Sequence, residues 1–432
     1  MADRKFRDLS INERVAHLKE KYSLLPSDMM LLGKFGTLGQ ERSLYSENAV
    51  GVYDNLTYGL AEGLVVNGKE YEFLPMAIEE PSVIAAQSNA NKTISKAGGF
   101  KASVSDPSYM FSQIQVTNLN DYGTAIDAIR AEKDNLLKIA NAKDPKLISV
   151  GGGARDIDVR HLPTRRGDMV IAHLYVDTKD AMGANAVNSM AEAIAPRIEE
   201  ITNGKVYLKI LSNFADKKLT YASVTIPKEL LATKAKIGDE EKTLSGEEVA
   251  DGIEIASAFA EADHYRAATG NKGIMNAVDA IAVAFGQDWR ALEAGAHEYP
   301  YISKRYGYSL SEWRTDKEFL YGKIEMPCSV GIVGGAAAVN PLAKLSRKIA
   351  GIESAPELAQ VMVSAGLAQN LAAIKALSTE GIQHGHMRLH ARNIAIQAGA
   401  TDFDIDMVVD GMIRDGKIRQ DYAETLLKDR KQ

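Results

Sequence analysis

Between Ser112 and Asn213 the spacing of apolar side chains switches between two periods, and the order of the switches predicts a module. A strand-like run, Ser112 to Thr117, precedes a helical pattern over 122–142 that carries Ile126, Ile129, Leu136, Leu137 and Ile139. Two strand candidates come next, at 147–161 and 169–177; in the second, Val170, Ala172, Leu174 and Val176 recur at every other position. From Ala184 the residues Val187, Met190, Ala191, Ile194, Ile198 and Ile201 keep helical spacing until Gly204 offers a stop, after which Val206, Leu208 and Ile210 alternate. The order β-α-β-β-α-β is ferredoxin-like: two helices cover one face of a four-stranded antiparallel sheet.

Strand and helix patterns continue on both sides, and neither flank is self-sufficient, so the module reads as an insertion. Helices are expected at 247–262, with Val249, Ile253, Ala256 and Phe259 on one face, at about 274–284, and at 356–377 behind Ser354 and Pro356. The predicted fold class is α+β. A large mixed α/β domain occupies 1–108 and 219–377, the inserted small domain 109–218, and a mobile helical C-terminal flap 378–432, behind Thr379-Glu380-Gly381.

The junction Asp180-Ala181-Met182-Gly183-Ala184-Asn185 lies where the alternating pattern ends and the helical one begins. A helix start presents unbonded N–H groups and a partial positive charge, and Gly183 permits close approach of a ligand. A dinucleotide pyrophosphate suits such a place, although strand, turn and helix alone account for the pattern. Glycines 151–153 do not spell G-x-G-x-x-G after a strand, so a Rossmann domain is not supported.

Composition narrows the classes. With 432 residues, 45% hydrophobic and 25% charged, the chain needs no staple to build a core. Its net charge of −6, with scattered Lys and Arg, argues against nucleic acid. The segment 1–20 is charged throughout, and the longest weakly polar stretch, Cys328 to Ala338, is about half of the ~20 residues of a membrane span, so no membrane is expected. Cys328 is the sole cysteine, which suits a reducing compartment and a cytoplasmic setting.

Three segments hold residue types that catalysis uses. Glu79-Glu80-Pro81-Ser82 reads as a capped helix start or as a general acid. In Arg266 to Asn276, Lys272 reads as a solvated turn residue or, if buried, as a cation for a developing oxyanion, with Asp288 as a partner; alone, Asp288 is a helix N-cap. Gln383 to His390 holds three of the eight histidines, and His386 and His390 share a helical face. A metal hydrolase on His384, His386 and His390 stays open as a reading, as does a non-catalytic binding protein, but the usual carboxylate beside the histidines is missing.

Taken together, Glu47-Asn48-Ala49-Val50-Gly51, Glu79 to Ser82, Asp180 to Asn185, Leu211-Ser212-Asn213, Arg266 to Asn276, Gly286 to Arg290 and Gly385-His386-Met387 resemble class II 3-hydroxy-3-methylglutaryl-coenzyme A reductases over nearly the whole chain. The resemblance implies interconversion of HMG-CoA with mevalonate and coenzyme A by two hydride transfers. It implies that Glu80 donates a proton, Lys272 steadies the oxyanion, Asp288 tunes both and His386 protonates the thiolate. It makes Ser82, Arg266, Thr269 and Asn276 contacts of the hydroxymethylglutaryl part, and sets Asp180, Met182, Gly183, Asn185 and Asn213 against the dinucleotide. Asp144 matches an acidic residue that favours NAD(H), while Lys143 and Lys146 keep NADP(H) possible; no metal is implied. The family's active site forms at a dimer interface, which implies a homodimer or an assembly of dimers. Two departures stand out: Val52 to Leu56 replaces a Thr-Phe-x-Leu-Pro pattern, and Gly270 replaces a frequent His.

Overall fold

The computed structural model describes residues 9, 11–33, 56–237, 240–379, 391–401 and 404–430. In chain order the strands are Thr57–Val66 (β1), Lys69–Ile78 (β2), Lys101–Val104 (β3), Met110–Thr117 (β4), Gly153–Thr164 (β5), Gly167–Asp177 (β6), Lys205–Leu211 (β7), Leu219–Pro227 (β8), Thr233–Ile237 (β9), Glu240–Leu244 (β10), Ser311–Thr315 (β11) and Phe319–Pro327 (β12).

The alternating segments of the inserted module become a sheet of order β5-β6-β4-β7, antiparallel throughout. Helices Tyr122–Ala131, Lys133–Asn141 and Ala184–Thr202 share its core, where Ile114, Ile129, Leu136, Leu174, Met190 and Ile194 are fully buried. Three details differ from expectation. The first helix is broken at Glu132, whose ψ of 6° leaves the helical range. Leu147 belongs to a short helix, Pro145–Ser149, because Asp144 caps its start and Pro145 fits the first turn; the strand begins only at Gly153. In β7 the pairing slips, with Ile114 opposite Lys209 but Val116 opposite Val206. This bulge puts the two ends of the strand out of phase, so Val206 is buried while Leu208 and Ile210 are 60% and 49% exposed. The preceding helix ends on Asn203, at φ 50°, rather than on Gly204.

In the larger part, β11-β12-β8-β3 form a four-stranded antiparallel sheet and β1-β2 a hairpin that turns on Asn67 and Gly68, both at positive φ. Helix Ala355–Ser378 runs through the core against β8, β12 and the helices Pro81–Lys96, Gly246–Ala262 and His264–Ala284. Its 24 residues, with a mean hydropathy of 1.2 over an 18-residue stretch, make it longer than Cys328 to Ala338, and burial of 67% of that stretch marks it as a core helix. Gly246–Ala262 starts with a capping box between Ser245 and Glu248. Its inward face differs from the expected one, for Ser257 points inward, donating to Glu261 and accepting from the Trp313 N–H, and Phe259 is left 57% exposed.

The largest departure is His264–Ala284, a single helix of 21 residues where the sequence pattern places a turn before Ile274. Asp263 caps it by accepting the Arg266 N–H at 2.7 Å. Buried Asn271 donates to the Tyr308 carbonyl and accepts the Leu310 N–H, each at 3.0 Å, so the polar run is held in helix by tertiary bonds. Toward the C-terminus, Ala391, Ile394, Val408 and Met412 form a small core of their own.

Candidate active site

Pro81 occupies the first turn of its helix and puts Glu80 at the N-cap, yet the Glu80 side chain makes no capping bond. Its carboxylate accepts instead from Ser82 Oγ at 2.9 Å, and its other oxygen lies 3.8 Å from Lys272 Nζ. The two side chains are 35% and 61% exposed, so the pair contributes little to stability. Arg266, Thr269, Gly273 and Asn276 recur at intervals of three or four on one helical face. With Glu80, Ser82 and Lys272 they line a cleft of about 810 Å³, closed on its third side by the C-terminal half of Ala355–Ser378. A Cβ at Gly270 would sit 3.4 Å from an Arg266 guanidinium nitrogen, so glycine leaves room beside that cation.

Asp288 is a helix N-cap that accepts the Ala291 N–H at 3.1 Å and lies 3.8 Å from Arg290 Nε. It neither lines the cleft nor bonds to Glu80 or Lys272 of the same chain. His386, His384, His390, the Glu47 to Gly51 motif and Val52 to Asn55 lie outside the described residues. Gln369 is an addition to the residues that the motifs single out: it lines the cleft, and among the described residues its buried Oε1 has no hydrogen-bond partner. Its signal is present in the sequence, because Gln369-Asn370 is a pair of adjacent amides within the small and apolar run from Val361 to Ile374.

The second place is the turn before helix Ala184–Thr202. Gly183 has φ 100°, and a Cβ there would lie 2.2 Å from Thr178 Cγ2. Only glycine fits. The first intrahelical bond runs from the Val187 N–H to the Gly183 carbonyl, leaving the N–H groups of 184–186 for an anion. Met182 is half-buried, while Asn185 and Asn213 are exposed. Asp180 turns the other way: its carboxylate accepts the Ala355 N–H at 2.8 Å, and its carbonyl accepts the Ile332 N–H at 2.8 Å. Asp144 accepts the Leu147 N–H at 2.9 Å, between exposed Lys143 and Lys146.

Beneath the turn is a cavity of about 610 Å³, lined in part by Asp177, Asp180, Lys218 and Cys328. Lys218 Nζ donates to Thr178 Oγ1 at 3.0 Å and to the Ala181 carbonyl at 3.3 Å. Burial brings this ammonium down to about 8 and pushes the neighbouring Cys328 thiol up to about 12.

An open carboxylate–ammonium pair beside a guanidinium, and a glycine-opened helix start on a ferredoxin-like sheet, thus lie in separate places on one chain. The chain belongs to the hydroxymethylglutaryl-coenzyme A reductase family, whose model matches residues 10–391. It is 47% identical over 425 residues to the 3-hydroxy-3-methylglutaryl-coenzyme A reductase of Archaeoglobus fulgidus, covering 98% of this chain and 93% of that one. A probable reductase of Borreliella burgdorferi is 34% identical, with 98% and 96% covered. Among solved structures, the Streptococcus pneumoniae reductase superposes with a TM-score of 0.80 at 40% identity, covering 99% of this chain and all (100%) of that one. The class II enzyme of the same organism, bound to NADPH in open conformations, gives 0.78 at 40% identity, with 98% and 100% covered. This chain is an oxidoreductase of that family.

Proposed function

We propose that the protein interconverts HMG-CoA with mevalonate and coenzyme A through mevaldyl-CoA and mevaldehyde, in two reductions that share one cleft. The observation that carries this reading is the Glu80–Lys272 pair, 3.8 Å apart, with Glu80 released from capping and Arg266 on the same wall. In each reduction a carbonyl oxygen gains negative charge; Lys272 stabilises it and Glu80 supplies the proton. Arg266 pairs with the free carboxylate of the substrate, and Ser82, Thr269 and Asn276 hold the hydroxymethylglutaryl part. His386, on the C-terminal flap, protonates the leaving thiolate.

A nicotinamide dinucleotide supplies the hydride when bound. The turn suits its pyrophosphate, since Gly183 leaves the backbone bare and the N–H groups of 184–186 are unbonded. Met182 and Asn185 flank Gly183 at that turn, Asn213 follows Leu211, whose N–H is held by Asn188 of helix Ala184–Thr202, and Asp180 holds the turn in place. We favour NAD(H), because the Asp144 carboxylate opposes an added phosphate, with NADP(H) possible through Lys143 and Lys146. If Lys218 props the turn, Lys218→Met should raise the dinucleotide KM several-fold and leave kcat within about twofold. An unchanged KM by cofactor titration would remove that role.

Asp288 reaches the pair from a second subunit in this reading, which is why it stands apart within one chain. Exposed Ile255, Phe259 and Tyr265, with Trp289 next to Asp288 and Tyr301 and Ile302 at the far end of the same helix, give a homodimer apolar surface to bury. Mixing inactive Lys272→Ala and Asp288→Ala subunits should then restore about a quarter of wild-type activity through hybrid sites. No recovery after subunit exchange would place Asp288 in its own chain's site. A cytoplasmic setting accords with a sole cysteine that is buried.

The test of the whole reading is cofactor absorbance with HMG-CoA, and with mevalonate plus coenzyme A, run separately with NAD(H) and NADP(H). Turnover in at least one arm is expected. Silence in all four overturns the assignment.

A further inference from the structure

Two turns beyond Lys272, on the same face of His264–Ala284, lies Asp279, a half-buried carboxylic acid that the proposed reductions do not use. Its side chain is hydrogen-bonded to Glu293 of the neighbouring helix Trp289–Ser303, while Asp279 Oδ1 is buried and, among the described residues, without a hydrogen-bond partner. One helical turn further along, His297 Nε2 lies 2.7 Å from Glu293 Oε2. Glu293 and His297 are 29% and 43% exposed, so the three groups run from the surface inward. The Lys272 ammonium lies within electrostatic range of Glu293.

Two carboxyl groups in hydrogen-bond contact cannot both be ionised cheaply, so the pair keeps one proton between them. Burial first, then Glu293, pushes Asp279 up to about 9. The bond from His297 is the main reason that Glu293 is held below the usual carboxylate range, and that same bond raises His297. Among the described residues the charged groups acting on the pair are Lys272 from one helix and His297 from the other. At neutral pH the proton therefore rests on Asp279, and Glu293 carries the charge.

We propose that Asp279, Glu293 and His297 form a proton-sharing chain that fixes a single negative charge behind Lys272 and so positions its ammonium for the reductions. This rests on the role proposed for Lys272 in the cleft. None of the three touches substrate; they act through the lysine. One anion steadies the ammonium from behind, whereas a second one, on ionised Asp279, would draw it away from the oxygen it serves.

Isosteric substitutions separate charge from packing. Asn copies the protonated form of Asp279, and Gln removes the charge of Glu293 at nearly constant shape. Glu293→Gln is expected to lower kcat about tenfold or more with KM nearly unchanged. Wild type is expected to show an alkaline fall in kcat near pH 9, and Asp279→Asn should stay within about twofold of it at pH 7 and lack that fall. Equal losses in the two variants, or superimposable alkaline limbs for Asp279→Asn and wild type, would overturn the proposal. A thermal-unfolding series over pH reads the same proton without any turnover. Asp279 binds its proton more tightly folded than unfolded, so this group's contribution to wild-type stability is present at low pH and lost as pH rises from about 4 to about 9. Asp279→Asn should lack that decline and gain on wild type toward pH 9; parallel curves would show that Asp279 is ionised and overturn the chain. If no substrate is turned over while the unfolding curves diverge as expected, the reading of the cleft fails and the shared proton stands.

Discussion

Replacing Lys272 by alanine should lower kcat by about 10²–10³-fold or more while the protein keeps its fold. The side chain is 61% exposed, and its ion pair with Glu80 spans 3.8 Å, so its removal gives up at most about 1 kcal/mol of stability. Position 272 lies inside a helix of 21 residues, where alanine is the best-tolerated replacement. A large kinetic loss with little change in Tm is therefore expected, and it separates chemistry from folding. Arginine should not restore the rate, because a planar guanidinium cannot present one compact ammonium at the same point. Steady-state kinetics beside a melting curve check this; a near-normal rate for Lys272→Ala would end the assigned role.

The second large effect is expected at Gly183. Valine there meets two penalties: a φ of 100° that L-residues avoid, and a Cβ placed 2.2 Å from Thr178 Cγ2. Gly98 supplies the control, with φ 96° and nothing within 4 Å of its would-be Cβ. Gly98→Ala should cost only the backbone term, about 1–2 kcal/mol. Gly183→Val should cost more and weaken dinucleotide binding at least about tenfold, because the turn has to move to admit the side chain. Melting and cofactor titration of both variants measure the difference. Equal behaviour would mean that the turn yields freely and is not the anion site.

Periodicity exposes the inserted sheet because Val170 to Val176 and Val187 to Ile201 each have one dry face, and one dry face is what a spacing pattern reports. It misreads Leu208 and Ile210, since a bulge is a single extra residue and leaves the alternation in sequence untouched. It also misses the helical start at His264, where Asn271 is held by bonds to Tyr308 and Leu310, partners nearly forty residues on. The motifs name Glu80, Ser82, Arg266, Thr269, Lys272 and Asn276, and these do line one cleft, although nothing in local spacing brings residue 80 to residue 272. Asp279 and Glu293 are silent in the sequence because a half-buried acid in a helix resembles a solvated one until its neighbour is known.

The helix Ala355–Ser378 touches both the glycine turn and the cleft. Its first N–H is fastened to Asp180 of the turn, and residues from Gln369 onward wall the cleft. At about 1.5 Å per residue it is a rod of about 36 Å, and rods transmit displacement along their axis with little loss. The turn and the cleft wall are thus carried by one continuous element, and the spacing between them is set by the length of that helix.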